Sequence, residues 1–137
     1  MLVIDGTNLI IGRAASQIAK KLLEGEQVHL VNAENLVIIG NPAEIIEHYK
    51  QRRRIQHKGT PERSPSWPKV PNMLVRRIIR GMLPWKRSRG KEAYKRLFVY
   101  TGNPKKLEGK TLETSVVKSV RRSITISELC RNLGHNA

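Results

Sequence analysis

Between Lys50 and Arg96 the chain carries sixteen basic residues and only two acidic ones, Glu62 and Glu92, a net charge of +14 over 47 positions. No fold can bury such a segment on more than one face, because an unpaired charge in the interior is far too costly. The core must therefore come from the flanks and from whatever apolar stripes the segment itself holds. Residues 1–49 are net −3 and residues 97–137 net +4, so nearly all of the overall +15 is concentrated in the middle of the 137-residue chain. An ordinary solvated surface mixes its signs. A segregated excess marks a binding surface for a polyanion, nucleic acid or anionic membrane.

The flanks supply the core pattern. Leu2-Val3-Ile4, ended by Asp5-Gly6, reads as a short buried strand. Ala14, Ala15, Ile18, Ala19, Leu22 and Leu23 form one helical stripe from Arg13, with Gly25 ending it. Val28–Val31 and Leu36–Ile39 read as further strands. The link Asn32–Asn35 is so short that their relative direction stays open. Asn41-Pro42-Ala43-Glu44 is a strong helix start, with Asn as N-cap and Pro in the first turn. That helix turns Ile45, Ile46 and Tyr49 inward and runs into Arg52-Arg53-Arg54.

Residues 57–71, HKGTPERSPSWPKVP, hold four prolines and no period. They are expected to form a loop, mobile without a partner and ordered with one. Leu74, Val75, Ile78, Ile79 and Met82 then recur at helical spacing, with Arg76, Arg77 and Arg80 on the other face. Gly81 and Pro84 stop this helix, and Leu83 or Trp85 is expected to anchor the turn. A short helix around Lys91–Arg96 leads into a strand at Leu97–Tyr100. In the tail, Val116-Val117 and Ile124-Thr125-Ile126 read as short extended segments. Ser127 is the expected cap of a last helix that runs through Leu133 to Gly134. Strands alternating with helices indicate an α/β fold.

Several function classes fit poorly. The single cysteine, Cys130, excludes an internal disulfide and a multi-thiolate zinc site. The N-terminus lacks a basic signal region, and no apolar run approaches the ~20 residues of a membrane span, so a soluble, intracellular protein is expected. DGTNLIIGRAAS, residues 5–16, has the strand–loop–helix form of a nucleotide site. Five residues separate its glycines where a P-loop has four, and Arg13-Ala14 replaces Lys-Ser/Thr. Arg13 is better suited to gripping a phosphate of a larger polyanion, or is simply a surface residue on a tight turn. His29, His48, His57 and His135 show no metal-ligand spacing, and Asp5 and Glu34 have no nucleophile beside them, so no catalytic or metal site, cofactor or small-molecule substrate is expected. An amphipathic calmodulin- or membrane-binding helix at 72–83 would leave Arg52–Arg54 and the cations beyond Pro84 unexplained. Trp67 and Trp85 suit either a base or a proline ring.

Four stretches carry a resemblance: VIDGTNLIIGRAAS at the start, NAENLVIIGN at 32–41, RGMLPWKRSRGKEAYKRLFVYTGNP at 80–104 and ISELCRNLG at 126–134. Together they resemble the thirteenth large-subunit ribosomal protein family, over roughly residues 1–104. The tail and the arginine-rich loop at 52–69 are similar to its archaeal and eukaryotic branch, and the bacterial branch has a loop richer in His and Gly. The resemblance implies a three-layer α/β/α fold around a four-stranded, largely parallel sheet. It implies one domain, with a core at 1–104 and an extension at 105–137 packed on it. It also implies a non-enzymatic, cytoplasmic constituent of the large ribosomal subunit that binds its rRNA, neighbours other ribosomal proteins and supports assembly.

On either reading the candidate RNA contacts are Arg13, Arg52, Arg53, Arg54, Lys58, Arg63, Lys69, Arg76, Arg77, Arg80, Lys86, Arg87, Arg89, Lys91, Lys95 and Arg96. Arginine predominates through 52–89 because its fork can hold a phosphate through two bonds. A stand-alone DNA- or RNA-binding regulator is the rival reading.

Overall fold

The computed structural model describes residues 1–112, 116 and 122–136. Three strands, β1 (Leu2–Asp5), β2 (Val28–Val31) and β4 (Leu97–Val99), form a parallel sheet in the order β1-β2-β4. Parallel pairing requires a crossover, and helix α1 (Ile11–Leu23) provides it between β1 and β2. The α1 stripe read from the sequence is the buried face: Ala14, Ala15, Ile18, Ala19 and Leu22 are all buried, together with Ile11. Helices α3 (Pro71–Arg80) and α4 (Ser88–Lys95) pack on β4, and each also packs on α1, so the three helices share one face of the sheet. Ile4, Val28, Leu30, Leu97 and Leu74 close the core between them.

The strand at Val37–Ile39, β3, departs from the expected four-stranded parallel sheet. It pairs antiparallel with β5 (Ser123–Thr125), packs on α1 and meets the link between β1 and α1 through a parallel bridge, Ile10 to Val37. The cause lies in the short link. Asn32 takes a left-handed conformation (φ 53°) and Ala33–Asn35 form one 3-10 turn, which turns the chain without the length a crossover needs. The partner strand comes instead from the tail. Helix α2 (Pro42–Arg54) starts as the sequence predicts, the Asn41 side chain accepting a hydrogen bond from the Ala43 N–H at 3.3 Å. Ile45, Ile46 and Tyr49 reach the edge of the core.

The tail corrects two further expectations. Ile126 opens helix α5 (Ile126–Asn132) rather than ending a strand, and Thr125, not Ser127, caps it by accepting from Glu128 N–H. Val116 bridges Leu9, while Val117 lies outside the described residues. Cys130 is buried in α5, and burial pushes its thiol up to about 11. Alkylation by a thiol reagent at pH 8 should therefore be slow in the native protein and fast after unfolding, as timed by mass spectrometry.

Candidate nucleic-acid interface

The basic segment is built on three supports: the end of α2, the outer face of α3 and the corner leading into α4. Helix α3 is amphipathic at its own period. Leu74, Val75 and Ile79 are buried, and this leaves Arg76, Arg77 and Arg80 on the opposite side. Past Gly81 the chain turns tightly. Leu83 N–H donates to Arg80 O at 3.1 Å, Trp85 N–H to Leu83 O at 2.8 Å and Arg87 N–H to Pro84 O at 3.0 Å. Leu83, 6% exposed, is the anchor, whereas Trp85 stays 38% exposed. Gly90, in the first turn of α4, sits so close to the corner that a Cβ there would collide with the Pro84 carbonyl. Lys86, Arg87, Arg89 and Lys91 project from this fixed turn and are all exposed.

The arginines of α3 are half-buried, and each lies over an aromatic ring. Arg76 is 4.7 Å from the centre of Tyr94, Arg77 4.8 Å from Trp67 and Arg80 4.8 Å from Trp85. Arg52, from the end of α2, lies 4.6 Å from the same Trp67 ring and 5.5 Å from Tyr49. The rings meet edge-on, Tyr49 against Trp67 at 6.2 Å and Trp85 against Tyr94 at 5.0 Å. Such contacts stabilise by about 0.5–2 kcal/mol each and fix the plane of a guanidinium without neutralising it. Arg77 is pushed below its ordinary pKa, first by burial and then by Arg80 beside it. It remains a cation, since arginine does not deprotonate in proteins.

The other candidate contacts divide by what holds them. Arg53 Nη1 donates to Leu133 O at 2.7 Å and so satisfies the end of α5. Arg96 Nη2 donates to Leu22 O at 2.7 Å, and Arg89 Nη2 to Leu23 O at 3.4 Å, at the end of α1. Cations at helix C-termini favour the dipole as well as the orphan carbonyls. Arg54 meets Glu47 at 3.4 Å. Among the described residues it is the only cation of the 50–96 segment within ion-pair distance of a carboxylate. Lys58, Arg63, Lys69 and Lys95 are exposed. Arg13 is exposed on the first turn of α1, beyond a loop closed by its own side chains. There Asp5 accepts from Thr7 N–H, Thr7 Oγ1 and Asn32 Nδ2 at 2.8–3.0 Å, which makes it a turn residue.

The loop at 57–70 is tied at both ends. His57 N–H donates to Ser64 Oγ at 2.8 Å, a 3-10 turn covers Pro61–Arg63, and Trp67 is held by Arg52, Arg77 and Tyr49. These contacts hold the inner half of the loop against α2 and α3. Trypsin should therefore cut the free protein after Lys58 or Arg63 before it cuts after Lys69, and equally fast cleavage at all three would contradict the docking of Trp67. Tyr49 and Tyr94 are the residues that sequence reasoning missed as parts of this surface. Their only signal was an aromatic one helical turn or less from an arginine, Tyr49 before Arg52 and Tyr94 before Arg96, and the Tyr94 partner proves to be Arg76 on another helix.

The geometry is thus a rigid corner of exposed cations beside a bank of ring-stacked guanidiniums. Comparison with known proteins gives the family. The family model described as ribosomal protein L13 matches residues 1–106. The chain is 42% identical to the large ribosomal subunit protein uL13 of Methanocaldococcus jannaschii, covering 98% of each chain. It is 41% identical to that of Archaeoglobus fulgidus over 96% of this chain and 86% of the relative. With Methanosarcina barkeri the identity is 47% over 79% of this chain and 76% of the relative. The chain belongs to the ribosomal protein L13 family.

Proposed function

We propose that this chain is a structural constituent of the large ribosomal subunit, that it grips large-subunit rRNA through the cationic corner after α3, and that it supports subunit assembly in the cytoplasm. The observation that carries the reading is the corner itself: Lys86, Arg87, Arg89 and Lys91 on a turn fixed by Leu83 and Gly90, with no carboxylate within ion-pair distance among the described residues. Folded RNA is recognised largely by shape and by phosphate position, which suits a ridge of fixed form. Arg52, Arg77, Arg80, Lys58, Arg63 and Lys69 extend the surface along α2, the loop and α3, and Arg13 and Lys95 are its outlying members. Membership of a family of structural ribosomal components makes the protein a scaffold and not an enzyme.

The chain acts as one domain. The segment from residue 105 serves as an extension, since β5 and α5 pack on β3 and on the 3-10 turn that follows β2. The family's three-layer body is consistent with the Ile10–Val37 bridge, which ties β3 to the link between β1 and α1, and with α2 packing on α5. Neighbouring ribosomal proteins are the further partners. The test is co-sedimentation of the native protein with large subunits through a high-salt wash, beside competition by DNA of equal length. Retention and a strong preference for rRNA are expected; release in the wash together with equal DNA binding would favour a free-standing regulator.

A further inference from the structure

Between the two aromatic banks lies a pocket of about 240 Å³ lined by Ser66, Pro68, Met73, Arg77, Arg80 and Tyr94. Three separate parts of the chain build it: the docked end of the loop, α3 and α4. Arg77 and Arg80 both face it, and each is held by a different indole, Trp67 and Trp85 respectively. Arg77 also donates to Ser66 O at 3.4 Å, which ties the loop wall to α3. Among the described residues neither guanidinium has a carboxylate within ion-pair distance, although they stand close enough for Arg80 to disfavour the charge on Arg77. Two like charges held side by side call for an anion between them.

The rest of the lining has the opposite character. Met73 is 55% exposed, the most exposed large apolar side chain of α3, and it stands beside Pro68 and the Tyr94 ring. A simple anion makes no use of a thioether, a proline ring and an aromatic face. A phosphate on a duplex surface brings no apolar group to meet them. The volume lies just under the ~300–1,000 Å³ typical of pockets for drug-sized ligands, which suits a smaller planar group. An unpaired nucleotide carries both halves of the match: a base with two apolar faces, and an anion attached to it.

We propose that this pocket receives one unstacked nucleotide of the rRNA, its base seated against Met73, Pro68 and Tyr94 and its phosphate bridging Arg77 and Arg80. The proposal rests on the rRNA-binding reading and deepens it. The α3 arginines then act as positioned phosphate clamps beside a base seat, while the corner beyond Pro84 supplies the sequence-independent grip.

Met73→Lys separates this pocket from a purely electrostatic surface, because it adds a cation and removes the apolar seat. Met82→Lys is the control: Met82 is 43% exposed on the corner and is not part of the pocket lining. Both variants would be measured for affinity to transcribed large-subunit rRNA, with thermal melts to establish folding and chemical modification of base edges to locate protected nucleotides. The expected result is a loss of about tenfold for Met73→Lys, the scale of one base stack, together with exposure of one previously protected unpaired base. Met82→Lys should bind as tightly as the unaltered chain, or more tightly. If Met73→Lys also binds as well or better and every protection survives, the surface is electrostatic only and the pocket proposal is overturned. If the unaltered chain fails to bind the rRNA, the ribosomal reading falls and the pocket with it. Because Met73 is exposed, an unfolded Met73→Lys is not expected; should it occur, Met73→Ala gives the same reading through loss of the protected base.

Discussion

Raising the salt concentration from 50 to 200 mM should weaken binding of this protein to large-subunit rRNA by about 10³–10⁵, if about 6–10 phosphates are engaged, on the scale known for duplex DNA. The structure indicates which cations carry that dependence. Arg53 and Arg96 are committed to the carbonyls of Leu133 and Leu22, and Arg54 to Glu47. Lys86 and Arg87 are exposed and, among the described residues, have no carboxylate within ion-pair distance. Their double replacement, Lys86→Gln with Arg87→Gln, should lower affinity and flatten the log–log salt slope by about 2, because two fewer sets of counterions are released. It should leave the melting temperature almost unchanged, since exposed charges contribute about 0–1 kcal/mol. Arg96→Gln should behave in the opposite way. It removes a 2.7 Å cap from α1 and so lowers stability, with a smaller effect on the slope. An unaltered slope in the Lys86/Arg87 variant would take the corner out of the RNA interface.

What the sequence disclosed about this surface was its charge and not its partners. A count of cations is local and needs no fold. Whether an arginine ends on a helix carbonyl, an indole or open solvent depends on what lies across from it, often far along the chain: Arg53 meets Leu133, and Arg76 meets Tyr94. The two tryptophans show the same limit. Base and proline both looked reasonable partners, yet the rings carry guanidiniums from α2 and α3. The elements were easier to read where one stretch holds its own signal. The stripe of α1 and the Asn41-Pro42 start of α2 are cases, since period and capping act within a few residues. The pairing of β3 was not, because its partner β5 comes from the tail, and only the two-residue periodicity of a strand, not its mate, is written locally. The cap of α5 slipped from Ser127 to Thr125 for a related reason. Pairing of Thr125 with Val37 holds it extended, so the helix can begin only at Ile126.

Gly90→Ala should destabilise the protein, although glycine-to-alanine in a helix interior ordinarily stabilises by about 1 kcal/mol. The sign reverses because the added methyl would meet the carbonyl of Pro84, and a backbone atom cannot swing aside as a side chain can. Either the corner or α4 must shift, at a cost of about 1–3 kcal/mol. Leu83→Ala attacks the same corner from inside and should cost about 2–5 kcal/mol, since Leu83 is 6% exposed within the cluster that α1, α3 and α4 share. Either figure is a large part of the 5–15 kcal/mol that separates a folded domain from its unfolded chain. Urea titrations of both variants give the values directly. A more stable Gly90→Ala would mean that α4 does not rest on the Pro84 turn, and that the ridge is not held as described. Neither substitution removes a cation, yet cations displaced from the phosphates release fewer counterions, so the affinity for rRNA should fall and the salt slope should flatten with it. A flatter slope with every cation still in the sequence is the signature of charges that remain present but no longer stand where the phosphates are.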